Sequence, residues 1–152
     1  MQFRKNMGKL APLKNALLRM TSIDQNTHLL ASKKLIGSVI SIENGNAKVT
    51  LTISQEMVVD TYNLAHGSFV FGLADYAAML AINEPTVVLG KAEVTYTKPV
   101  VLNDELTALA TVTNDKNGKK TMVRVVVFNQ NRDLVFEGNF TCFVLENHIL
   151  EK

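Results

Sequence analysis

From about His66 to Ile82 the chain is apolar on nearly every face of a helix, yet it carries one charge, Asp75. Phe69, Val70, Phe71, Leu73, Ala74, Ala77, Ala78, Leu80, Ala81 and Ile82 leave almost no polar stripe. Such a helix has to be buried on nearly every side, and a curved sheet wrapped around it achieves this. The small residues Gly72, Ala74, Ala77, Ala78 and Ala81 let another backbone come close, as a second helix or sheet across a dimer interface requires. A carboxylate inside such a helix costs several kcal/mol unless something pairs with it. Asp75 therefore needs a reason to be there.

Strand signals surround the helix. Residues 26–32 read as a short helix, Leu35 to Ile42 is β-rich, Glu43-Asn44-Gly45-Asn46 is a hairpin turn, and Ala47 to Ile53 returns. Residues 55–65 read as a loop holding Asp60 and Asn63, and the long helix must end before Pro85. The remainder reads as a β-meander. Val87 to Thr97 runs into Lys98-Pro99, where proline interrupts the ladder or sits at an edge. Leu106 to Thr113, Thr121 to Phe128 and Leu134 to Leu145 follow, with turns at 114–118 and 129–133. No internal repeat, low-complexity tract or linker interrupts this order. The fold class is α+β: one antiparallel sheet with a single long central helix inserted after the first hairpin.

At 152 residues the chain fits one domain. Its net charge of +2 hides an asymmetry, since residues 1–23 hold five bases and no acid, leaving eleven bases against fourteen acids, a net −3, in the rest. Leu10, Leu13 and Leu17 fall at helical spacing, so residues 1–32 read as a basic, helical N-terminal arm. Docking on the body or on a partner subunit is the favoured role of the arm; contact with a membrane surface or nucleic acid is the lesser one. The arm lacks the features of a signal peptide, and no apolar run reaches the roughly 20 residues of a membrane span. Cys142 is the single cysteine, which excludes an intrachain disulfide and favours a reducing, cytoplasmic setting. His28, His66 and His148 are too scattered for a metal motif. No phosphate loop or dinucleotide fingerprint is present, so neither a metal nor a resident cofactor is expected.

The order of elements resembles the hotdog fold, in which a sheet wraps one long helix and two subunits join their sheets. The likeness covers residues 33–146, leaving 147–152 as a C-terminal tail. His66-Gly67-Ser68 with Leu73-Ala74-Asp75 is similar to the His-Gly-Gly…Leu-Ala-Asp pattern of phenylacetyl-CoA-type acyl-CoA thioesterases. Asp75 lies nine residues after His66, as in that pattern, while Ser68 stands where a second glycine is usual. A second likeness runs through Lys34-Leu35-Ile36-Gly37, Gly90-Lys91-Ala92-Glu93-Val94, Lys98-Pro99-Val100 and Val135-Phe136-Glu137-Gly138-Asn139-Phe140. These are similar to the effector domain of the malonyl-CoA-sensing repressors of fatty-acid synthesis. Those repressors carry an arginine where this chain has His66 and an amide where it has Asp75. The 32 residues before the first strand are also too few for a helix-turn-helix domain.

The resemblance implies a homodimer, or a higher assembly built from it, that binds an acyl-CoA or acyl-carrier-protein thioester and no nucleic acid. It leaves two roles, an acyl-CoA thioesterase or a non-catalytic sensor or regulator. The dehydratase branch of the fold fits less well, because its His and Glu pairing is missing from this helix. Coenzyme A enters only as part of the ligand.

Thioester hydrolysis needs charge stabilised on the carbonyl oxygen and an attack on the carbonyl carbon. Backbone N–H groups near Gly67 and Ser68, at the positive end of the helix, suit the first task. Asp75 suits the second as general base or nucleophile. Nine helical residues rise about 13.5 Å and rotate about 900°, so the two groups of one chain cannot meet on one carbonyl. Antiparallel helices across a two-fold bring Gly67 of one subunit towards Asp75 of the other, giving two composite sites per dimer. His66 suits a local hydrogen bond at the helix start better than general-base work. Asn63 and Asp60 either orient water or hold the loop, and the sequence leaves this open. Ser68 lacks the Gly-x-Ser-x-Gly elbow of a serine nucleophile. Phosphates of coenzyme A call for cations, and Lys91, Lys98 and Arg124 are the candidates on the later strands, with Lys119 and Lys120 nearby.

Overall fold

The computed structural model describes residues 22–114 and 118–152. The expected arm helix through Leu10, Leu13 and Leu17 lies outside the described residues, as do Asp115, Lys116 and Asn117 of one turn. Strands β1 (Ser38–Glu43) and β2 (Asn46–Thr52) form the first hairpin. A 3-10 turn at Gln55–Met57 leads to helix α1 (Gly67–Ile82). Strands β3 (Val87–Tyr96), β4 (Glu105–Val112), β5 (Lys120–Phe128) and β6 (Leu134–Val144) complete one six-stranded sheet in the order β1-β2-β4-β5-β6-β3.

Strands β2, β4, β5 and most of β6 bury alternate residues, as a sheet covered on one face must. Val49 and Leu51, Leu106 and Ala108, Val123 and Val125, and Phe136 and Phe140 all turn inward and are buried. Helix α1 lies against that face, touching all six strands and most of all β4 and β2. This is the α+β sheet-and-helix architecture that the pattern predicts.

Three expectations need correction. Residues 26–32 are not helical: His28 adopts φ 54°, and the segment is stitched to the end of α1 instead. There the Asn26 N–H donates to Asn83 Oδ1 at 2.8 Å, and Asn83 Nδ2 donates to the Asp24 carbonyl at 2.8 Å. The first strand starts at Ser38 rather than Leu35, because the Ile36 N–H bonds back to Ser32 O at 2.8 Å in a turn. Finally, only β4-β5-β6 is a meander, since β3 pairs with β6 at the far side. The connection between Tyr96 and Glu105 is too long for a tight hairpin and contains Pro99. It carries the chain past the start of α1, where it bonds to Ala65.

Gly37 opens β1 with φ +129°, and a Cβ there would lie 2.8 Å from a Val49 methyl and 2.9 Å from the Thr50 carbonyl oxygen. Both the torsion and a backbone neighbour that cannot yield oppose any side chain. Gly37→Ala should therefore destabilise the fold by about 2–5 kcal/mol. Urea unfolding checks this, and a midpoint equal to wild type would refute it.

Candidate functional site

Helix α1 starts where three hydrogen bonds converge. The Ala65 N–H donates to Val100 O at 2.8 Å, the His66 N–H to Met57 O at 2.9 Å, and the Ser68 N–H to His66 Nδ1 at 3.0 Å. His66 is thus the N-cap residue, with extended torsions and a ring that accepts from the first turn. The Tyr96 hydroxyl donates to the Gly67 carbonyl at 2.9 Å. The Gly67 N–H, by contrast, has no acceptor among the hydrogen bonds of the described residues. Of the two N–H groups proposed for an oxyanion, Ser68's is occupied and Gly67's has no partner among the described residues.

A cavity of about 330 Å³ reaches Gly67. Gly67, Val70, Tyr96, Val100, Leu64 and Ala65 line it together with Thr97, Lys98 and Pro99. The space a Gly67 Cβ would take belongs to the Tyr96 ring, 3.1 Å away. A side chain here would press on that ring, which must give by a few tenths of an ångström to admit it.

Asp75 sits eight residues further along. Counted from Gly67 that is a rise of about 12 Å and a net rotation of about 80°, so the separation of the two groups is chiefly axial. Asp75 Oδ1 is buried and accepts no hydrogen bond. Burial pushes its carboxyl up to about 6. Burial also pushes the neighbouring Cys142 thiol up to about 12, and the negative charge of Asp75 adds to that rise. Ser68, Gly72 and Asp75 recur at spacings of four and three; Ser68 is exposed and the other two are half-buried. The rest of α1, from Tyr76 to Ile82, is fully buried. Ala74, Ala77, Ala78 and Ala81 are likewise buried within the chain itself, and of the small residues only Gly72 is half-buried.

The remaining candidates are dispersed. Asn63 occupies a left-handed turn position with φ 63°, and its carbonyl accepts from the Leu102 N–H at 2.9 Å. Asp60 holds that loop, its Oδ1 accepting from the N–H groups of Tyr62 at 2.9 Å and Leu64 at 3.1 Å. Asn63 does not line the cavity. Lys91 pairs with Glu93 at 3.2 Å, Lys98 with Asp133 at 2.9 Å, and Arg124 with Glu137 at 2.6 Å. The pleat puts Lys91 and Arg124 on the face of the sheet opposite α1. Only Lys98 borders the cavity. Tyr96, absent from the sequence-based candidates, is the lining residue whose side chain bonds to the first residue of α1. A hydroxylated aromatic two positions before Lys98-Pro99 was the available signal.

Among the described residues, no group of three or more His, Cys, Asp or Glu is arranged to hold a metal ion. No helix there is long and apolar enough to cross a membrane.

No protein-family model matches the chain. The crystal structure of an uncharacterised protein from Pyrococcus horikoshii is similar at a TM-score of 0.83 and 53% identity, over 86% of this chain and 98% of that one. A Streptococcus mutans protein, crystallised bound to acetyl CoA, is similar at a TM-score of 0.69 and 25% identity, over 80% of this chain and 97% of that one. Among curated proteins, 125 residues are 43% identical to part of the methylthioribose-1-phosphate isomerase of Aquifex aeolicus, covering 82% of this chain and 27% of that protein. Another 27% identity over 123 residues links the chain to the transcription factor FapR of a Geobacillus strain, covering 80% of this chain and 62% of that protein. The chain thus spans between about a quarter and three-fifths of the length of these curated relatives.

Proposed function

The chain belongs to the hotdog-fold superfamily, and on that premise we propose that it binds an acyl thioester of coenzyme A and hydrolyses it across a dimer interface. The observation that carries this reading is the buried, unpartnered Oδ1 of Asp75, in the middle of α1. A buried carboxylate without a partner is costly, and functional sites are where such costs are retained.

The dimer in this proposal forms through β3. Among the described residues its outer edge is unpaired over ten residues, whereas the outer edge of β1 is met by the Ile23 N–H, which donates to Ile42 O at 2.8 Å. A long free edge invites pairing with a second copy. A two-fold there sets two α1 helices antiparallel, with the Gly67 N–H of one subunit near the partner's Asp75. In the reaction, Asp75 takes a proton from water while the hydroxide oxygen bonds to the thioester carbon, or attacks that carbon itself. The carbonyl oxygen takes up negative charge against the Gly67 N–H and the positive end of α1. The C–S bond then breaks. On the general-base route the proton held by Asp75 passes to the leaving thiolate. On the nucleophilic route the thiolate takes a proton from water, whose hydroxide opens the Asp75 acyl anhydride and releases the acid.

The cavity favours an uncharged acyl group. Leu64, Ala65, Val70, Pro99 and Val100 are apolar, and its one cation, Lys98, is tied to Asp133. His66, at the position of the repressors' arginine, is occupied by its cap. Acetyl-, octanoyl- and phenylacetyl-CoA should therefore be turned over in a free-thiol assay, with malonyl-CoA at least about tenfold slower for want of a carboxylate partner. Malonyl-CoA as the preferred substrate would overturn the uncharged-acyl assignment.

A second reading has its own support. Both curated relatives carry the matching segment inside a longer chain with another named activity. This favours a non-catalytic acyl-thioester-binding module that regulates or serves a partner. Tight binding of acyl-CoA without turnover would select this reading, and neither binding nor turnover would remove both. The lone buried thiol of Cys142 suits a cytoplasmic setting for either.

A further inference from the structure

We infer that Tyr96 is a positioning residue for the thioester site, acting with His66 to clamp the first peptide of α1; the inference rests on the thioesterase reading above. The peptide between Gly67 and Ser68 is held at both ends. Its carbonyl accepts from the Tyr96 hydroxyl at 2.9 Å, and its N–H donates to His66 Nδ1 at 3.0 Å. The preceding peptide is held through its own carbonyl, His66 O, which accepts from the Phe69 N–H at 3.2 Å, and with both planes fixed the Gly67 N–H keeps one orientation.

Tyr96 is itself held in place. It is the last residue of β3, its ring meets buried Phe136 edge-on at 5.1 Å and 81°, and it fills the space over Gly67 where a Cβ would go. Burial also raises its hydroxyl above the ordinary tyrosine range, so the phenol stays protonated and remains a donor. A glycine with no side chain is the residue whose torsions most need such an external constraint. Because β3 is also the strand proposed to pair across the two-fold, one residue links the dimer edge to the orientation of the oxyanion donor.

Tyr96→Phe keeps the ring, its contact with Phe136 and its cover over Gly67, and removes only the hydroxyl. The variant should lower kcat for octanoyl-CoA by about tenfold or more, while KM stays within about twofold and Tm is unchanged. Hydrogen–deuterium exchange adds a readout that needs no turnover, and the Ser68 amide should exchange at least about fivefold faster in the variant. A wild-type kcat together with wild-type exchange at Ser68 would overturn the clamp. So would a fall in Tm with a matching rise in KM, which marks a merely structural tyrosine. If the wild type itself turns over no thioester, the thioesterase reading fails and the exchange result alone decides the clamp.

Discussion

Asp75→Asn is expected to abolish thioester hydrolysis and, in the same protein, to raise stability at neutral pH. The two effects have one cause. Burial without a hydrogen-bond partner holds the carboxyl at about 6 against 3.8 for the free group. Between those two values the folded chain keeps a proton that the unfolded chain has released, so raising the pH favours unfolding. The stabilising contribution is complete below the unfolded value and is lost as the pH rises through about 6. At about 1.4 kcal/mol per unit, the charged form costs the wild type roughly 3 kcal/mol at pH 7. Asparagine cannot ionise, so its urea midpoint should exceed that of wild type at pH 7 and vary less between pH 4 and 7. Activity should move the opposite way. Loss of a general base lowers kcat by about 10³-fold, and the wild-type rate should climb as the pH passes about 6, when the base becomes free. A variant that still turns over, or a wild-type rate that is flat from pH 5 to 7, would remove Asp75 from the chemistry.

What the sequence makes legible is what short-range pattern encodes. The apolar run of α1 and the alternating strands announce themselves, since burial imposes their periods of 3.6 and 2. The His66 cap is legible too, because its partner Ser68 is two residues away. Pairing of β3 with β6 is not, since it joins residues about fifty positions apart and no local period specifies which edge a strand takes. Charge partners divide in the same way. The pair of Lys91 with Glu93 follows from strand spacing, whereas Lys98 finds Asp133 across 35 residues and Arg124 finds Glu137 across 13. Tyr96 shows the limit most clearly. Its partner is a backbone carbonyl 29 residues away, and a carbonyl leaves no mark in a sequence. Asp75 is legible in the sequence as a candidate; the hydroxyl that holds the Gly67 carbonyl is not.

Whether the two halves of the site come from different chains is decided by a variant that removes one N–H and little else. Gly67→Pro does this. Proline is well accommodated at the first helical position, where its missing N–H is not needed by the helix. His66, with φ −65° and ψ 133°, already has the torsions that a residue before proline prefers. The added Cβ meets the Tyr96 ring at 3.1 Å and must displace it by a few tenths of an ångström, so Gly67→Ala, with the same Cβ and an intact N–H, is the control. Gly67→Pro should lose about 10²–10³ in kcat, the measure of one oxyanion donor, while Gly67→Ala stays far closer to wild type. Mixing then tests the geometry. Equimolar Asp75→Asn and Gly67→Pro chains, unfolded and refolded together, give dimers of which half are mixed. Each mixed dimer regains one site, built from the intact Gly67 of one chain and the intact Asp75 of the other. About a quarter of wild-type activity should return from two inactive proteins. If Gly67 and Asp75 of the same chain served one carbonyl, every chain in the mixture would lack one of them, and nothing would return.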